Sequence, residues 1–140
     1  MTAFDALLDN KIRVVEAAQA GATNEFLSDP TVGPTQFQKL DYPAVQILPE
    51  STDDQGGNQF AHTLRVNCYF ERERDTDYLD VLEVIKDVTT GVIQELGEID
   101  CVLTYRPTTI EDYAGQLDNT LLLLVSIQFT VTTQVDLADT

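Results

Sequence analysis

Basic residues are scarce in this sequence. Against 24 Asp plus Glu the chain carries 8 Lys plus Arg, only three of them lysines, and its formal net charge is -16. Because phosphate binding requires clustered Lys and Arg, this balance argues against a protein that wraps nucleic acid. An acidic disordered chain is also excluded, since apolar residues make up 43% of the sequence and recur in regular patterns.

Long apolar runs and an N-terminal leader pattern are missing as well. No run approaches the roughly 20 apolar residues that span a bilayer. The first residues, Met1–Asp5, contain neither a basic patch nor an apolar core of the kind found in secretory signals. We therefore expect a soluble protein that is made and used inside a cell, without membrane partners. Its 140 residues predict a single domain, 1–140.

Cysteine and histidine are too few for the common metal and nucleophile sites. Cys68 and Cys101 form no CxxC pair, and His62 is the only histidine, whereas a structural zinc site needs four closely spaced ligands. His62 and Cys68 share one face of a predicted strand and lie roughly 20 Å apart along it, which excludes a Cys-His pair. We expect two reduced cysteines packed as small hydrophobic residues and a partly buried strand histidine.

The acidic residues themselves have a distinctive composition. Asp outnumbers Glu, Lys is rare and Thr is abundant, a combination that resembles the proteins of salt-loving archaea and their viruses. At 1 M salt the Debye length is about 3 Å, so the self-repulsion of such a surface is screened. The composition therefore predicts adaptation to concentrated salt.

Apolar residues at spacings of three and four predict two amphipathic helices. The first spans about 3–20 and is ended by Gly21. The second spans 78–96, begins after acidic cap candidates, and is ended by Gly97 in the position where a left-handed residue is preferred. Within it, Gly91 costs about 1 kcal/mol relative to Ala. Close packing against a strand or a neighbouring subunit would explain Gly91, and so would a tolerated weak spot.

Alternation of apolar and polar residues predicts four strands, at 42–49, 59–71, 99–107 and 119–135, and the third is expected to continue past Pro107 as an extended arm. The resulting order, α-β-β-α-β-β, predicts an α+β fold with a mostly antiparallel β-sheet and helices packed on one face. A long irregular loop, 21–42, precedes the first strand. The polar segments 50–58 and 108–118 are interpreted as extended hairpin tips, the second of them as a turn between two strand arms.

Catalytic motifs are not found. The sequence holds no phosphate-binding glycine loop, nucleophile elbow, zinc helix or calcium loop. The neighbouring acids Asp53 and Asp54, and likewise Glu111 and Asp112, could share a proton or a divalent ion, but a solvated acidic surface fits their polar context better. His62 could act as a base, yet nothing near it in sequence would orient it. We expect no enzyme activity, no cofactor and no metal.

The closing strand is apolar on both faces in its first half, because Leu122 and Leu124 join the alternate series that includes Leu121 and Leu123. Such a strand is either central to a sheet with layers above and below it, or it contacts another subunit. We favour contact with another subunit. That interpretation predicts more apolar surface than one copy can bury.

Several runs carry a resemblance to a known family. They are Pro43–Ile47, Leu64–Tyr69, the acid-capped second helix, Asp112 with Tyr113, and Ser126–Val131. Together they resemble the tail terminator, or tail completion, proteins of long-tailed viruses, over about Ala3 to Gln134. These are patterns rather than signature motifs, and the loop 21–42 and the acidic charge depart from common members of the family.

The resemblance implies a structural virion protein at the neck of the tail, assembled in the host cytoplasm. It implies a hexameric ring of identical copies that caps the tail tube protein, stops tube growth and joins the tail to the head connector or stopper protein. Genome DNA would pass through the lumen without specific binding, and an acidic lumen would repel its phosphates. The residues expected at oligomer or partner contacts are Leu122, Leu124, Asp53, Asp54, Glu111, Asp112, Tyr113, Gln36 and Phe37.

Other functions remain open from the sequence. The nearest is another ring protein of the same virion, either the tail tube subunit, which would stack into filaments, or the head-tail stopper. A small enzyme would need an ordered cluster around His62 or the acidic pairs. A cellular protein-binding domain is the third alternative.

Overall fold

The computed structural model describes residues 3–33, 42–71, 77–117 and 120–135. It confirms the α+β class, with two helices and a mostly antiparallel sheet, and adds a short strand to the expected order. The elements are α1 Ala3–Gly21, β1 Thr31–Val32, β2 Ala44–Gly56, β3 Gln59–Glu71, α2 Tyr78–Leu96, β4 Val102–Leu117 and β5 Thr120–Gln134.

The five strands form one sheet in the order β1-β2-β3-β5-β4. β1 pairs in parallel with β2, within the region expected to be irregular, and the other neighbours are antiparallel. β5 therefore lies inside the sheet, between β3 and β4. Alternate residues of the two long inner strands, such as Val66, Ile127 and Phe129, are fully buried under the helices and form the core with α1 and α2.

Two of the polar segments differ from expectation. β2 continues to Gly56, so that the turn to β3 is confined to Gly57 and Asn58, both with positive φ. The prediction that the third strand continues past Pro107 as an extended arm is confirmed, because 108–117 continue β4 and pair with β5 along their length. The interpretation of 108–118 as a turn is wrong for these residues. The acidic residues there are tolerated because β4 is the last strand of the sheet and exposes part of its surface to water.

The ends of α2 depend on two residues. Asp77 is the N-cap, and its side chain accepts a hydrogen bond from the backbone N-H of Leu79. Gly97 is the C-cap but has φ -66, so the expected left-handed conformation is wrong. A Cβ at this position would lie 2.7 Å from the hydroxyl oxygen of Tyr105, so the end of that side chain would have to shift to admit a larger residue.

We expect the substitution Asp77→Ala to lower the free energy of unfolding by about 1 kcal/mol, because it removes the acceptor for an otherwise unpaired N-H. Asp77→Asn keeps an acceptor oxygen and should remain close to the parent. Urea denaturation of the three proteins checks this. Equal losses in both variants would show that the cap hydrogen bond is not the cause.

α1 and α2 approach each other most closely at a pair of glycines. A Cβ on Gly21 would collide with the carbonyl of Gly91, and a Cβ on Gly91 would collide with the carbonyl of Gly21. Gly91 is thus explained by close packing, but against α1 of the same chain rather than against a strand or a neighbouring subunit. The interpretation of Gly91 as a tolerated weak spot is wrong.

Candidate functional site

The expected contact residues on β5 are placed differently from the prediction. Leu122 is only 5% exposed, and Leu124 is half-buried. The physical reason is that β5 is an inner strand, with Leu124 directly between Tyr69 on β3 and Tyr113 on β4. The apolar second face of β5 is therefore explained by its central position, and Leu122 offers almost no exposed surface for a contact with a partner.

The expected acidic contact residues do not form one surface. Asp53 and Asp54 are exposed near the β2–β3 turn. Asp112 is level with Val125, about seven residue positions from there along the sheet, or roughly 23 Å. Gln36 and Phe37, which were also expected at contacts, lie outside the described residues.

Strand geometry also separates the members of each acidic pair. Adjacent residues on a strand point to opposite faces of the sheet. Asp112 accepts a hydrogen bond from the hydroxyl of Tyr78 on the helix-covered face, whereas Glu111 lies on the open face. Neither this pair nor Asp53 with Asp54 is arranged to share a proton or an ion.

Glu111 belongs to a polar network that sequence reasoning missed. The Nε of Arg65 lies 2.7 Å from an oxygen of Glu50, and its Nη1 lies 3.0 Å from the hydroxyl of Ser126 and 3.5 Å from Glu111. Tyr113 donates its hydroxyl to the same Glu111 oxygen. The network joins side chains of β2, β3, β5 and β4 across the open face, so Glu111 has a structural role in the sheet.

His62 is buried in the core. It is 2% exposed, and its Nδ1 and Nε2 lie 3.0 Å and 2.9 Å from the hydroxyl oxygens of Thr52 and Thr133. Burial, with a smaller contribution from the charge of Lys11, lowers the pKa of His62 to about 4. His62 was expected to be partly buried and is almost fully buried instead. Because both ring nitrogens are hydrogen-bonded inside the fold, His62 is not placed to meet a substrate.

The cysteines are both free. Cys68 is fully buried, as expected for a small hydrophobic residue, and burial raises the pKa of its thiol to about 12. Cys101 is half-buried, and its sulfur lies 3.8 Å from Nη1 of Arg13.

Within the described ranges no group of three or more His, Cys, Asp or Glu side chains is arranged to hold a metal. In the same ranges neither helix has the length and apolarity needed to cross a membrane.

One exposed apolar surface lies on α1. Phe4, Leu8 and Ile12 follow one another at four-residue spacing and are 40% to 64% exposed. Gly21 marks the side of α1 that contacts α2. At 100° per residue the three residues lie roughly 100° to 180° around the helix from Gly21, so they face away from α2. We call these three residues the α1 flank.

A second exposed apolar surface lies where α2 adjoins the edge strand. Tyr78, Leu82 and Ile110 are 42% to 56% exposed. Tyr78 and Leu82 are one helical turn apart, and the hydrogen bond from Tyr78 to Asp112 places that turn beside β4, where Ile110 shares the face of Asp112. We call these three residues the α2–β4 flank.

The two flanks lie on opposite sides of the helix layer. α1 packs over β1, β2 and β3, whereas α2 adjoins β4 at the far edge of the sheet. The sequence predicted both helices as amphipathic but did not separate the apolar residues that reach the core from those that stay exposed. One feature of the sequence does indicate exposed apolar residues on α1. Its apolar residues cover an arc of roughly 160° around the helix, which is wider than a stripe that packs on a core needs to be.

No protein-family model and no curated protein matches the sequence.

Proposed function

We propose that this protein is a ring-forming structural subunit of a virus tail, the terminator that caps the tail tube, stops its growth and joins the tail to the head connector. The observation that carries the proposal is the pair of unlike apolar flanks on opposite sides of one subunit. Because the two apolar surfaces differ, each can pack against the other surface of a neighbouring copy. Such pairing favours head-to-tail association over a symmetric dimer. Head-to-tail contacts close into a ring when the rotation between copies permits it.

The placement of the runs that resemble tail terminators supports the same function. Pro43–Ile47 lies at the start of β2, Leu64–Tyr69 lies in its neighbour β3, and part of Ser126–Val131 on β5 pairs with Leu64–Tyr69. These segments therefore lie in three consecutive strands of one sheet.

The charge distribution supports passage of DNA rather than its capture. The net charge is -16, and Arg65, on the open face of the sheet, is engaged by two carboxylates. A ring built from such subunits presents an acidic lumen, which repels phosphate groups. The genome would slide through it without specific contacts.

The test is assembly of the purified protein at molar potassium chloride, followed by light scattering and electron microscopy. We expect closed rings of one mass, with sixfold symmetry, and labelling of the protein at the neck of virus particles. Long stacks of rings would instead favour the tail tube subunit. A strict monomer at every salt and protein concentration contradicts both functions.

A further inference from the structure

We propose that the α1 flank of one copy packs into the α2–β4 flank of the next copy. This inference rests on the proposed ring and names the contact that would join its subunits. It concerns six apolar residues, three on each side, that remain exposed among the residues that the structure describes. The partner is a second copy of this chain.

The two flanks share one spacing of side chains along their helices. The α1 flank is a ridge in which Phe4, Leu8 and Ile12 recur about every 6 Å, four residues at 1.5 Å each. The α2–β4 flank has the same repeat along the helix, with Tyr78 and Leu82, and the edge strand beside it contributes Ile110. A ridge of one helix fits between side chains of equal spacing on another element.

The charges that continue each series are also complementary. One helical turn beyond Ile12 on α1 lies Glu16, and one turn beyond Leu82 on α2 lies Lys86, the only basic residue of α2. Both charged side chains are exposed. With the two helices parallel, Ile12 lies beside Leu82 and Glu16 lies beside Lys86. An exposed ion pair adds little affinity, but it selects this direction and register.

Charge also argues against pairing of α1 with α1. Asp5, Asp9 and Glu16 all lie along the same side of the α1 flank. Two copies joined through this flank would bring those acids together in a chain that already carries a net charge of -16. In the unlike pairing Lys86 lies beside Glu16 and relieves part of this repulsion, so the unlike pairing is the favoured one.

Disulfide trapping tests the contact directly. We would introduce Ile12→Cys and Leu82→Cys, singly and together, in a Cys101→Ser background, with Leu8→Cys and Tyr78→Cys as a second pair. The head-to-tail contact predicts that each double variant gives a covalent ladder ending at the closed ring under mild oxidation, while each single variant stays uncrosslinked. Dimers formed by a single variant, or rings in which neither pair crosslinks, would overturn the inference.

A second set of variants uses charge in place of a disulfide. Ile12→Glu and Leu82→Glu should each weaken association about 100-fold or more, because they place a carboxylate in an apolar contact. Phe26→Glu is the matched control, since Phe26 is 65% exposed but belongs to neither flank. Unchanged thermal unfolding of the variants would show that they remain folded. Equal weakening by all three substitutions counts against the assignment.

Mixing two charge-reversed variants tests whether Glu16 of one copy lies beside Lys86 of the next. At low salt, Glu16→Lys and Lys86→Glu should each reduce association about tenfold, and mixing the two variants should restore it, because alternate copies again pair opposite charges. Rings that persist through every one of these changes would refute this contact and leave the proposed function standing. Crosslinked dimers or open chains without rings would support the contact and refute the ring.

Discussion

Acidification from pH 6.5 to pH 4 should destabilise the fold by about 3 kcal/mol through His62 alone. The folded state holds the pKa of His62 at about 4, against a reference value of 6.5. Between these values the unfolded chain binds a proton that the folded protein does not, so stability falls as the pH falls through this window. Above pH 6.5 the imidazole is neutral in both states and contributes no pH dependence. Below pH 4 the loss is complete.

The measurement compares unfolding free energies of the parent and His62→Gln across pH 4 to 7. The absolute stability of the variant will differ, because Gln cannot reproduce the two hydrogen bonds to Thr52 and Thr133. The difference in pH slope is the decisive quantity, since the many carboxylates titrate in both proteins and cancel. Parallel curves for the two proteins would mean that His62 titrates normally and is not held neutral by burial.

Gly91→Ala should lower the free energy of unfolding by about 2 kcal/mol. Helix propensity alone favours Ala by about 1 kcal/mol. The new methyl group, however, would overlap the backbone carbonyl of Gly21, which cannot move without displacing the end of α1. Overpacking of this kind costs about 1 to 3 kcal/mol and sometimes more, and contact with backbone on both sides places this position at the upper end. The steric cost therefore exceeds the gain in propensity.

Thermal denaturation should show this loss as a decrease in Tm of about 8 °C. Thr90→Ala, at the exposed neighbouring position of α2, controls for propensity, and Gly115→Ala controls for a glycine whose added Cβ would meet no atom within 4 Å. A Gly91→Ala variant as stable as the parent would show that the helices separate at little cost. The close glycine contact would then not define how α1 and α2 pack.

The elements with strong local periodicity could be predicted from the sequence. β3 alternates cleanly and α2 carries both a cap and a regular apolar stripe, so each was placed within a residue or two. β1 was missed because two residues contain no period. A continuation of β4 past Pro107 was expected, but 108–118 were also interpreted as a turn because acidic and glycine residues are typical of turns. The full length of the strand depends on its pairing with β5.

The errors at the candidate site have one physical origin. Apolar residues that fill a core and apolar residues that remain exposed are alike in sequence, and only the tertiary arrangement separates them. Leu122 was expected at a contact, but strand order places β5 inside the sheet and buries it. Phe4 and Leu82 belong to the apolar stripes of the two predicted helices, but neither helix turns those residues toward the sheet. Local periodicity in a sequence does not reveal strand order.

The guanidinium of Arg65 has a consequence for how the strands find their alignment. The alignment of β5 with β3 is already set by the buried alternate residues of β5, Ile127, Phe129 and Val131. The residues of β4 are mostly exposed or half-buried, and a slip of this strand by one position would turn Glu111 to the helix side and remove its carboxylate from Arg65. The contact between Arg65 and Glu111 therefore favours the native alignment of the edge strand, where the apolar pattern is weakest.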